Sequence, residues 1–407
     1  MIMLVMMPFA LSAQTFDYDM TKVQPTYTEA AGYGYDVLPA PAKNSTEPWY
    51  FSVKVPDGNY KVSVTLGSRS RAANTTVRAE SRRLMEENID TKKKELKTVE
   101  FIVNKRSPQI DATHRVSLKE REKTYLDWDD RLTLEFNGNS PAVAHIHIER
   151  DTTATTVYLC GNSTVVDQSN EPWASWGQMI PRWFDTHVAI SNHGESGLTA
   201  RTFLGGHRLD KILSTLRKGD YVICEFGHND EKEHQPGDGA WYHYTYQLKI
   251  FIDQVRAKGG NIIFCTSTAR RAFESDNKTI RNTHGDFPAA MKAVAAREKV
   301  PLIDLNKMST TFFETLGYEN SKRALVHYPM NSFPGQTKEL ADNTHFNPFG
   351  AYEISKCIVM GMKQLGLPLT QYLRSDWRDF NPAQPDDWKT FRWAPAKNAD
   401  IVKPDGN

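Results

Sequence analysis

The sequence predicts two successive parts: an all-β sandwich, then an α/β domain whose parallel sheet has helices on both faces. Residues 15–150 carry short segments of alternating apolar and polar residues with no helical pattern between them, which is typical of a β-sandwich. In residues 156–370, apolar strand-like runs alternate with helical patterns. That alternation indicates βαβ units and therefore a parallel sheet. A length of 407 residues is ample for two domains.

Turn signals organise the first part. Asp57-Gly58 lies between two alternating segments and predicts a β-hairpin, and Asn137-Gly138 predicts a second turn. The stretch 81–97 is rich in charged residues, so we expect a solvated loop there. Strands are expected over seven segments: 51–55, 60–64, 75–80, 99–103, 115–118, 132–136 and 143–148.

The second part follows a different rhythm and ends in an aperiodic tail. Strands are expected at 157–160, 187–191, 221–225, 261–265 and 302–305. Helices are expected at 173–184, 204–216, 241–258, 287–298 and 347–365. Residues 371–407 carry many Trp, Pro and Asp residues without periodicity, and we expect an extended segment packed on the surface.

Composition limits the classes of function. Basic and acidic residues nearly balance, leaving a net charge of +1, which argues against a nucleic-acid partner held by bulk charge. Residues 1–13 are mostly apolar and end in Leu11-Ser12-Ala13, which predicts a signal peptide and a secreted or periplasmic protein. No other stretch is apolar enough to span a bilayer. The spacing of the four cysteines matches no zinc or redox motif, and we expect their side chains to be buried. One disulfide among them remains possible. They are Cys160, Cys224, Cys265 and Cys357.

The first candidate for chemistry is the serine of Gly161-Asn162-Ser163-Thr164-Val165, directly after the first strand of the second part. A strand that ends there places the serine hydroxyl at the carboxyl edge of the sheet, where open α/β sheets bind ligands. The segment is not a nucleophile elbow, because Val165 occupies the place of the second glycine. Taken alone, it is better explained as a turn.

Three further stretches lie where a strand ends or a helix begins. They contain Gly197, Asn229 and the pair Asp342 and His345. Each has an ordinary explanation, since glycine makes turns and Asn or Asp caps helices. Chance is a poor explanation for all four stretches in this order after successive strands.

These four stretches resemble the blocks of the SGNH (GDSL-type) hydrolases, and among them most resemble the rhamnogalacturonan acetylesterases. The indicators are Ser-Thr-Val, Gly-Leu-Thr-Ala-Arg, Gly-His-Asn-Asp and Asp-Asn-Thr-His-Phe-Asn. The resemblance implies a three-layer, flavodoxin-like sheet and a triad of Ser163, His345 and Asp342. It also implies an oxyanion hole formed by the Ser163 and Gly197 amides and the Asn229 side chain. One departure is Asn162, where the family usually has Asp.

The resemblance implies a substrate, but other substrates stay open. It implies removal of acetyl groups from a pectic, rhamnogalacturonan-like polysaccharide. One alternative is an esterase that acts on another acetylated glycan such as xylan, or on lipid acyl chains. The other is a non-catalytic carbohydrate-binding protein on the same scaffold. The basic loop 268–284 either binds uronate carboxylates or is simply solvated. The substrate-binding candidates are Arg270, Arg271, His284 and His228.

Other features imply less. The first part resembles galactose-binding-like sandwiches of secreted carbohydrate-active enzymes, so it either binds sugar or is purely structural. The sequence carries no motif for a metal or another cofactor, and it leaves the oligomeric state open.

Overall fold

The computed structural model describes residues 14–405. The signal peptide predicted over residues 1–13 lies outside this range, as do the last two residues. Antiparallel sheets come first along the chain, and a parallel sheet with helices follows. This arrangement confirms the predicted fold class.

Between residues 14 and 151, nine strands form two antiparallel sheets packed face to face. The strands are β1 (Thr15–Asp19), β2 (Tyr33–Asp36), β3 (Trp49–Lys54), β4 (Gly58–Gly67), β5 (Ala73–Ala79), β6 (Arg83–Thr91), β7 (Leu96–Lys105), β8 (Arg131–Ser140) and β9 (Val143–Asp151). One sheet has the order β1-β9-β4-β7 and the other β2-β3-β8-β5-β6. Side chains from both sheets, including Phe51, Val62 and Ile148, are fully buried between them.

The predicted hairpin around Asp57-Gly58 is wrong. Strand β3 pairs with β2 and β8, whereas β4 pairs with β7 and β9. The turn therefore carries the chain from one sheet to the other. Both strands alternate because each lines the same core from opposite sides, and alternation does not reveal which sheet a strand joins.

Three other local predictions for this part are wrong. Asn137-Gly138 lies inside β8 beside a register shift against β5, so the glycine accommodates a bulge and not a turn. Residues 115–118 contribute only one isolated bridge, between Arg115 and Gln109. Residues 81–97 contain all of β6 and the start of β7. Charge predicted exposure there, but the charged side chains at the start of β6 are buried in ion pairs with the second part.

The second part has a five-stranded parallel sheet and one antiparallel strand pair among the described residues. Its strands are β10 (Thr155–Cys160), β11 (Val188–Asn192), β12 (Tyr221–Phe226), β13 (Asn261–Thr266), β14 (Leu302–Ile303), β15 (Leu325–Tyr328) and β16 (Leu340–Phe346). Its helices are α1 (Trp176–Met179), α2 (Ala200–Gly205), α3 (Arg208–Thr215), α4 (Thr245–Ala257), α5 (Phe287–Glu298), α6 (Leu305–Asn320) and α7 (Pro348–Gln364).

The order of the parallel sheet places the candidate site. The order is β11-β10-β12-β13-β14, which in chain order is 2-1-3-4-5, the flavodoxin-like order. Ligands bind at the switch point of such sheets, here between β10 and β12. Helices α1, α6 and α7 cover one face of the sheet, and α3, α4 and α5 cover the other.

The strands of the second part confirm the predictions more closely than its helices do. The predicted helix over 173–184 is only α1 followed by a 3₁₀ turn that contains Pro181. Helix α6 was not predicted at all: it begins at Leu305, where the last strand was expected to end. The Asp304 carboxylate caps it by accepting from the Lys307 amide at 3.3 Å. All four cysteines are buried free thiols.

The residues after α7 extend over both parts of the molecule. The side chain of Asn137 in the sandwich donates to the Pro395 carbonyl at 2.9 Å. In the second part, the Trp173 indole donates to the Asp400 carbonyl at 2.7 Å. The tail therefore crosses the boundary between the sandwich and the parallel sheet.

Candidate active site

Ser163 lies in a tight turn at the carboxyl end of β10. The Asn162 carbonyl accepts from the Val165 and Val166 amides, both at 3.0 Å. Gly161 cannot carry a side chain, because a Cβ there would lie 2.4 Å from Val165 Cγ2 and 3.0 Å from the Glu225 carbonyl. The glycine lets the strand turn beside β12, and this turn presents the serine at the switch point.

Asn162 closes the turn from within, although an Asp is usual at this position. Its side-chain oxygen accepts from the Thr164 amide at 3.1 Å and from the Thr164 hydroxyl at 3.0 Å. The amide therefore supplies the same acceptor that a carboxylate would.

The structure brings Ser163, His345 and Asp342 into one hydrogen-bonded chain. His345 Nε2 lies 2.9 Å from the Ser163 Oγ, and His345 Nδ1 lies 2.9 Å from the Asp342 Oδ2. His345 lies 182 residues after Ser163 but only 3 residues after Asp342 in the sequence. A serine with a histidine base that is oriented by a carboxylate is the arrangement that activates a hydroxyl for attack on a carbonyl.

Asp342 is held as a carboxylate. Burial acts to raise its pKa, but the hydrogen bond and charge interaction with His345 outweigh burial and hold the pKa below its ordinary value. The amides of Thr344 and His345 also donate to Oδ1, at 2.7 and 2.8 Å. The short i, i+3 spacing of Asp342 and His345 thus lets one turn fix both the acid and the base.

The three predicted oxyanion donors lie on loops that are tied together. Gln168 Nε2 donates to the Ser163 carbonyl at 3.0 Å and to the Ser196 hydroxyl at 3.4 Å. Asn229 Nδ2 donates to the Leu198 carbonyl at 3.1 Å. Gly197 has a φ of 80°, a conformation that favours glycine. The serine turn, the Gly197 loop and the Asn229 loop therefore meet around one site.

Comparison with known proteins agrees with this geometry. A family model described as the GDSL-like lipase/acylhydrolase family matches residues 159–351. Rhamnogalacturonan acetylesterase RhgT of Bacillus subtilis (strain 168) is 39% identical over 223 residues, which are 54% of this chain and 94% of that protein. The chain belongs to the GDSL-like lipase/acylhydrolase family. It is a carboxylic ester hydrolase.

Two relatives of lower identity are also esterases by name. A rhamnogalacturonan acetylesterase of Emericella nidulans is 28% identical over 246 residues, covering 55% of this hydrolase and 91% of the relative. The uncharacterized esterase YxiM of Bacillus subtilis (strain 168) is 25% identical over 322 residues, covering 78% of this hydrolase and 75% of the relative. The longer match to YxiM reaches beyond the parallel-sheet part.

A buried carboxyl group supports the serine turn of the hydrolase. Glu225, near the end of β12, accepts from the Thr164 hydroxyl at 3.0 Å, the Thr268 amide at 3.2 Å and the Trp176 indole at 2.5 Å. It is fully buried. Burial raises its pKa to about 7, against the effect of these three donors. No motif in the sequence pointed to this residue.

The pKa of Glu225 predicts a pH-dependent stability. Its folded pKa lies above the ordinary 4.5, so its contribution to stability is greatest below pH 4.5 and is lost as the pH rises through 7. We expect Glu225→Gln, which keeps a neutral side chain, to flatten this slope. Urea unfolding at pH 5 and pH 8 should show the difference between wild type and variant changing by up to about 3 kcal/mol. The exposed Glu120→Gln is the control, and an equal slope in all three proteins would contradict the assignment.

Three of the four predicted substrate-binding residues form one cluster with Glu231. The Arg270 guanidinium lies 2.5 Å from Glu231 Oε1, and His284 Nδ1 lies 2.7 Å from Glu231 Oε2. His228 is buried against the His284 ring, and burial lowers its pKa well below the ordinary value. Arg270 and Glu231 are partly exposed, at 15% and 14% of their side chains, whereas His284 is buried. The loop is thus partly neutralised by Glu231, which charge counting along the loop did not anticipate.

Arg271 occupies a different environment from its neighbour. Its side chain is buried and donates to the Ser321 hydroxyl at 2.9 Å and to the Asn343 side chain at 3.2 Å, while its amide donates to the Asn343 carbonyl at 2.8 Å. Its guanidinium also stacks over the Tyr318 ring at 4.7 Å. Arg271 thus contacts the turn that carries Asp342 and His345, and its assignment to substrate binding stays a prediction.

The C-terminal segment reaches the site, which the sequence did not reveal. Lys403 Nζ lies 3.5 Å from Asp342 Oδ2. Asp405 pairs with Lys119 and Arg121 at 3.1 and 2.7 Å, next to Gly197. The Trp173 ring also contacts the His345 ring edge-on at 5.6 Å. Residues far apart in sequence thus line the triad, and no spacing rule connects them.

Residues 14–405 contain neither a metal-binding cluster nor a membrane-spanning helix. In this range no group of three His, Cys, Asp or Glu side chains is arranged to hold a metal ion. No helix there is both long and apolar enough to cross a bilayer.

Proposed function

We propose that this hydrolase is a serine esterase that removes acetyl groups from an acidic pectic polysaccharide of the rhamnogalacturonan type. The observation that carries the proposal is the Ser163–His345–Asp342 chain at the switch point of the sheet. Its 39% identity to a rhamnogalacturonan acetylesterase favours the substrate. A complete triad argues against a non-catalytic carbohydrate-binding protein.

The proposed reaction uses each site residue at a defined atom. His345 Nε2 takes the proton of the Ser163 hydroxyl as the oxygen attacks the acetyl carbonyl, and Asp342 balances the imidazolium. The Ser163 and Gly197 amides and Asn229 Nδ2 donate to the developing oxyanion, each such donor contributing on the order of 3 kcal/mol. The sugar hydroxyl leaves with the proton from His345. Water, activated by the same histidine, then releases acetate from Ser163.

Cationic side chains around the site favour an acidic substrate. Lys232 donates to the Asn229 side-chain oxygen at 3.3 Å, and Lys403 lies beside Asp342. These two lysines place positive charge near the triad although the net charge of the chain is only +1, whereas Glu231 offsets the charge of Arg270. Local positive potential attracts a polymer with carboxylates on its backbone.

Acetate release tests the substrate directly. We expect faster release from acetylated rhamnogalacturonan than from acetylated xylan, and little hydrolysis of a long-chain acyl ester. Faster release from xylan would favour the other glycan esterase. No release from any ester would favour the binding protein.

We also propose that the protein is secreted or periplasmic, based on the apolar segment 1–13 and its small residues before Gln14. Expression in a bacterial host and N-terminal sequencing of the exported protein tests this. A mature chain beginning at Gln14 is expected. Retention of the whole chain in the cytoplasm would contradict it.

Arg270 and Arg271 should give different kinetic results although they are neighbours. Arg270→Ala removes a partly exposed cation and one of the two partners of the Glu231 carboxylate, the other being His284. We expect KM for acetylated pectic oligosaccharides to rise about two- to fivefold, as for the loss of one partly exposed ionic contact. The kcat/KM for a neutral aryl acetate should change little, because that ester needs only the triad and the oxyanion donors.

Arg271→Ala is the matched control. Because Arg271 supports the Asp342–His345 turn, its loss should lower kcat/KM for both substrates by a similar factor. Equal losses in the Arg270 variant would assign that residue to the scaffold as well. No change in the Arg270 variant on either substrate would remove the loop from substrate binding.

A further inference from the structure

Three large aromatic side chains are exposed close together where the chain enters α4. Trp241, Tyr242 and Tyr246, here called the aromatic cluster, are 57%, 71% and 60% exposed. Of the other Phe, Trp and Tyr side chains in residues 14–405, only Tyr318 is exposed, and the Arg271 guanidinium lies over its ring at 4.7 Å. An exposed cluster of this kind is typical of a binding surface, whereas single exposed apolar residues are ordinary.

A π-helical turn, Ala240–Tyr244, carries the start of the cluster. In this wide turn the Tyr244 amide donates to the Gly239 carbonyl at 3.3 Å. Such turns occur frequently at functional sites. The Tyr244 side chain points inward, is buried, and donates from its hydroxyl to the Phe226 carbonyl at 2.8 Å. The turn is therefore anchored to the end of β12 while the aromatic cluster faces solvent.

Hydrogen bonds and ring contacts hold the cluster in place. The Trp241 indole donates to Asp286 Oδ2 at 2.8 Å. The rings of Tyr242, His243 and Tyr246 follow one another with nearly parallel planes, at interplanar angles of 20° and 13°. Because these rings are already ordered, a ligand that covers them loses little affinity to side-chain entropy.

Arg201 connects the aromatic cluster to the candidate active site. Its guanidinium contacts the His243 ring and Asp238, and it lies 3.3 Å from Glu233 Oε2. Arg201 belongs to α2, which begins just after the predicted oxyanion donor Gly197. The cluster thus packs on the loop of one oxyanion donor, at the edge of the sheet where β12 ends. A long ligand bound at the triad can reach it.

The chemistry of the groove favours sugar rings. The cluster lines a groove of about 590 Å³ together with Lys249 and Arg297. Both cations are paired with carboxylates, Lys249 with Asp253 at 2.5 Å and Arg297 with Glu298 at 2.9 Å. The groove therefore offers aromatic faces more than net charge. A sugar ring carries C–H groups on its faces, which the negative face of an aromatic ring attracts, while its hydroxyls stay in water.

We propose that the aromatic cluster binds sugar rings of the polysaccharide chain, at a distance from the acetyl group that is removed. The inference rests on the proposed function in taking that polysaccharide as the ligand. Stacking on the cluster holds a long chain across the site, so the protein favours an acetylated polymer over a single acetylated sugar. A small aryl acetate occupies only the triad and gains nothing from the cluster.

Binding of a polymer without acetyl groups tests the cluster separately from catalysis. The probe is rhamnogalacturonan stripped of acetyl groups by mild alkali, and affinity electrophoresis with the full chain measures its binding. We expect Trp241→Ala and Tyr242→Ala each to weaken binding about fivefold or more, because aromatic anchors contribute strongly to binding surfaces. Tyr242→Ala leaves the bond between Trp241 and Asp286 intact, so it decides the question if Trp241→Ala disturbs the start of α5.

Two matched variants serve as controls. Tyr246→Phe removes a hydroxyl but keeps the ring, so it should bind within about twofold of wild type. Leu96→Ala removes an exposed apolar side chain from the sandwich, where Leu96 is 42% exposed, and it should bind as wild type does.

Kinetics and salt dependence identify the kind of contact. In the Trp241 and Tyr242 variants, kcat/KM for acetylated rhamnogalacturonan should fall by the same factor as binding, while kcat/KM for an aryl acetate stays unchanged. The ratio of wild-type to variant affinity should be the same at low and high salt, because stacking involves no net charge. For Arg270→Ala, the corresponding ratio should shrink as salt is added.

Three outcomes overturn the proposal. Equal binding of the stripped polymer by wild type, Trp241→Ala and Tyr242→Ala would place the chain elsewhere. A ratio that falls toward one with added salt would make the contact ionic. A wild-type dimer that Tyr242→Ala dissociates, measured by light scattering, would make the cluster an interface between two copies. Failure of the proposed function would instead appear as no acetate release from rhamnogalacturonan, with binding of the stripped polymer still weakened by the cluster variants.

Discussion

Replacing Ser163 with alanine should lower kcat for an aryl acetate by roughly four to six orders of magnitude. The Ser163 Oγ is the atom that His345 Nε2 faces at 2.9 Å. The fold should survive, because the substitution only removes one hydroxyl from a turn held by Asn162 and Val165. Steady-state kinetics and a thermal melt on the same preparation measure both effects.

A second serine in the same site supplies the control. Ser196 is also buried, and Gln168 donates to its hydroxyl at 3.4 Å. Its hydroxyl accepts from Gln168, which lies outside the predicted triad, so Ser196→Ala should keep kcat within about tenfold of wild type. A Ser163→Ala protein that keeps more than a tenth of the activity would remove Ser163 from the role of nucleophile.

The sequence indicated the residues that meet in the candidate site better than it indicated their surroundings. Ser163, Gly197, Asn229, Asp342 and His345 were found because each follows a strand of the parallel sheet or precedes a helix. Local signals for strand ends and caps identify such positions well. The order of the sheet then brings those ends to one edge without further information from the sequence.

The surroundings depend on contacts between distant segments, which no local pattern encodes. Glu225 looked like one polar residue in an apolar strand, yet it joins the serine turn to Trp176 and Thr268. Lys403 is distant from Asp342 in the sequence, yet its ammonium lies 3.5 Å from the Asp342 carboxylate. Arg270 and Arg271 are adjacent arginines, but only the packing shows that the first is partly exposed and the second buried.

The β-sandwich posed the hardest problem for prediction. The alternation of apolar and polar residues predicted where its strands lie. It did not show which sheet each strand joins, because both sheets line one core. The stretch 81–97 was expected in solvent because of its charge. Burial of charge is costly unless a partner is present, and here the partners belong to the other part of the chain.

Replacing the buried Arg83 should have the largest effect on stability that we expect. Arg83 Nε lies 2.6 Å from Asp167, its Nη2 lies 3.3 Å from Asp127, and its Nη1 donates to the Asn104 carbonyl at 2.8 Å. All of these side chains are buried. Arg83→Met keeps the apolar volume but leaves the two carboxylates without their cation. Breaking a buried pair in this way costs about 3–5 kcal/mol, which urea unfolding would measure.

The pH dependence identifies the cause of that loss. Burial raises the pKa of Asp167 to about 6, against the charge of Arg83. Without the arginine, the pKa of this carboxyl should rise further, so the variant should lose more stability at pH 8 than at pH 5. Adding Asp167→Asn to Arg83→Met should recover part of the loss and reduce the pH dependence. The exposed Arg115→Met is the control and should change the free energy of unfolding by less than about 0.5 kcal/mol.

This experiment also decides what the sandwich does for catalysis. Asp167 lies four residues after Ser163, and Arg82, beside Arg83, donates to the Gln168 and Trp173 carbonyls at 3.0 and 2.9 Å. If the sandwich holds the serine loop, Arg83→Met should lower kcat as well as stability, even at temperatures where the variant is folded. An unchanged kcat in the folded variant would mean that the serine turn is held by its own domain alone, through Glu225 and Asn162. A loss of less than about 1 kcal/mol would show that the two carboxylates find other partners or take up protons at little cost.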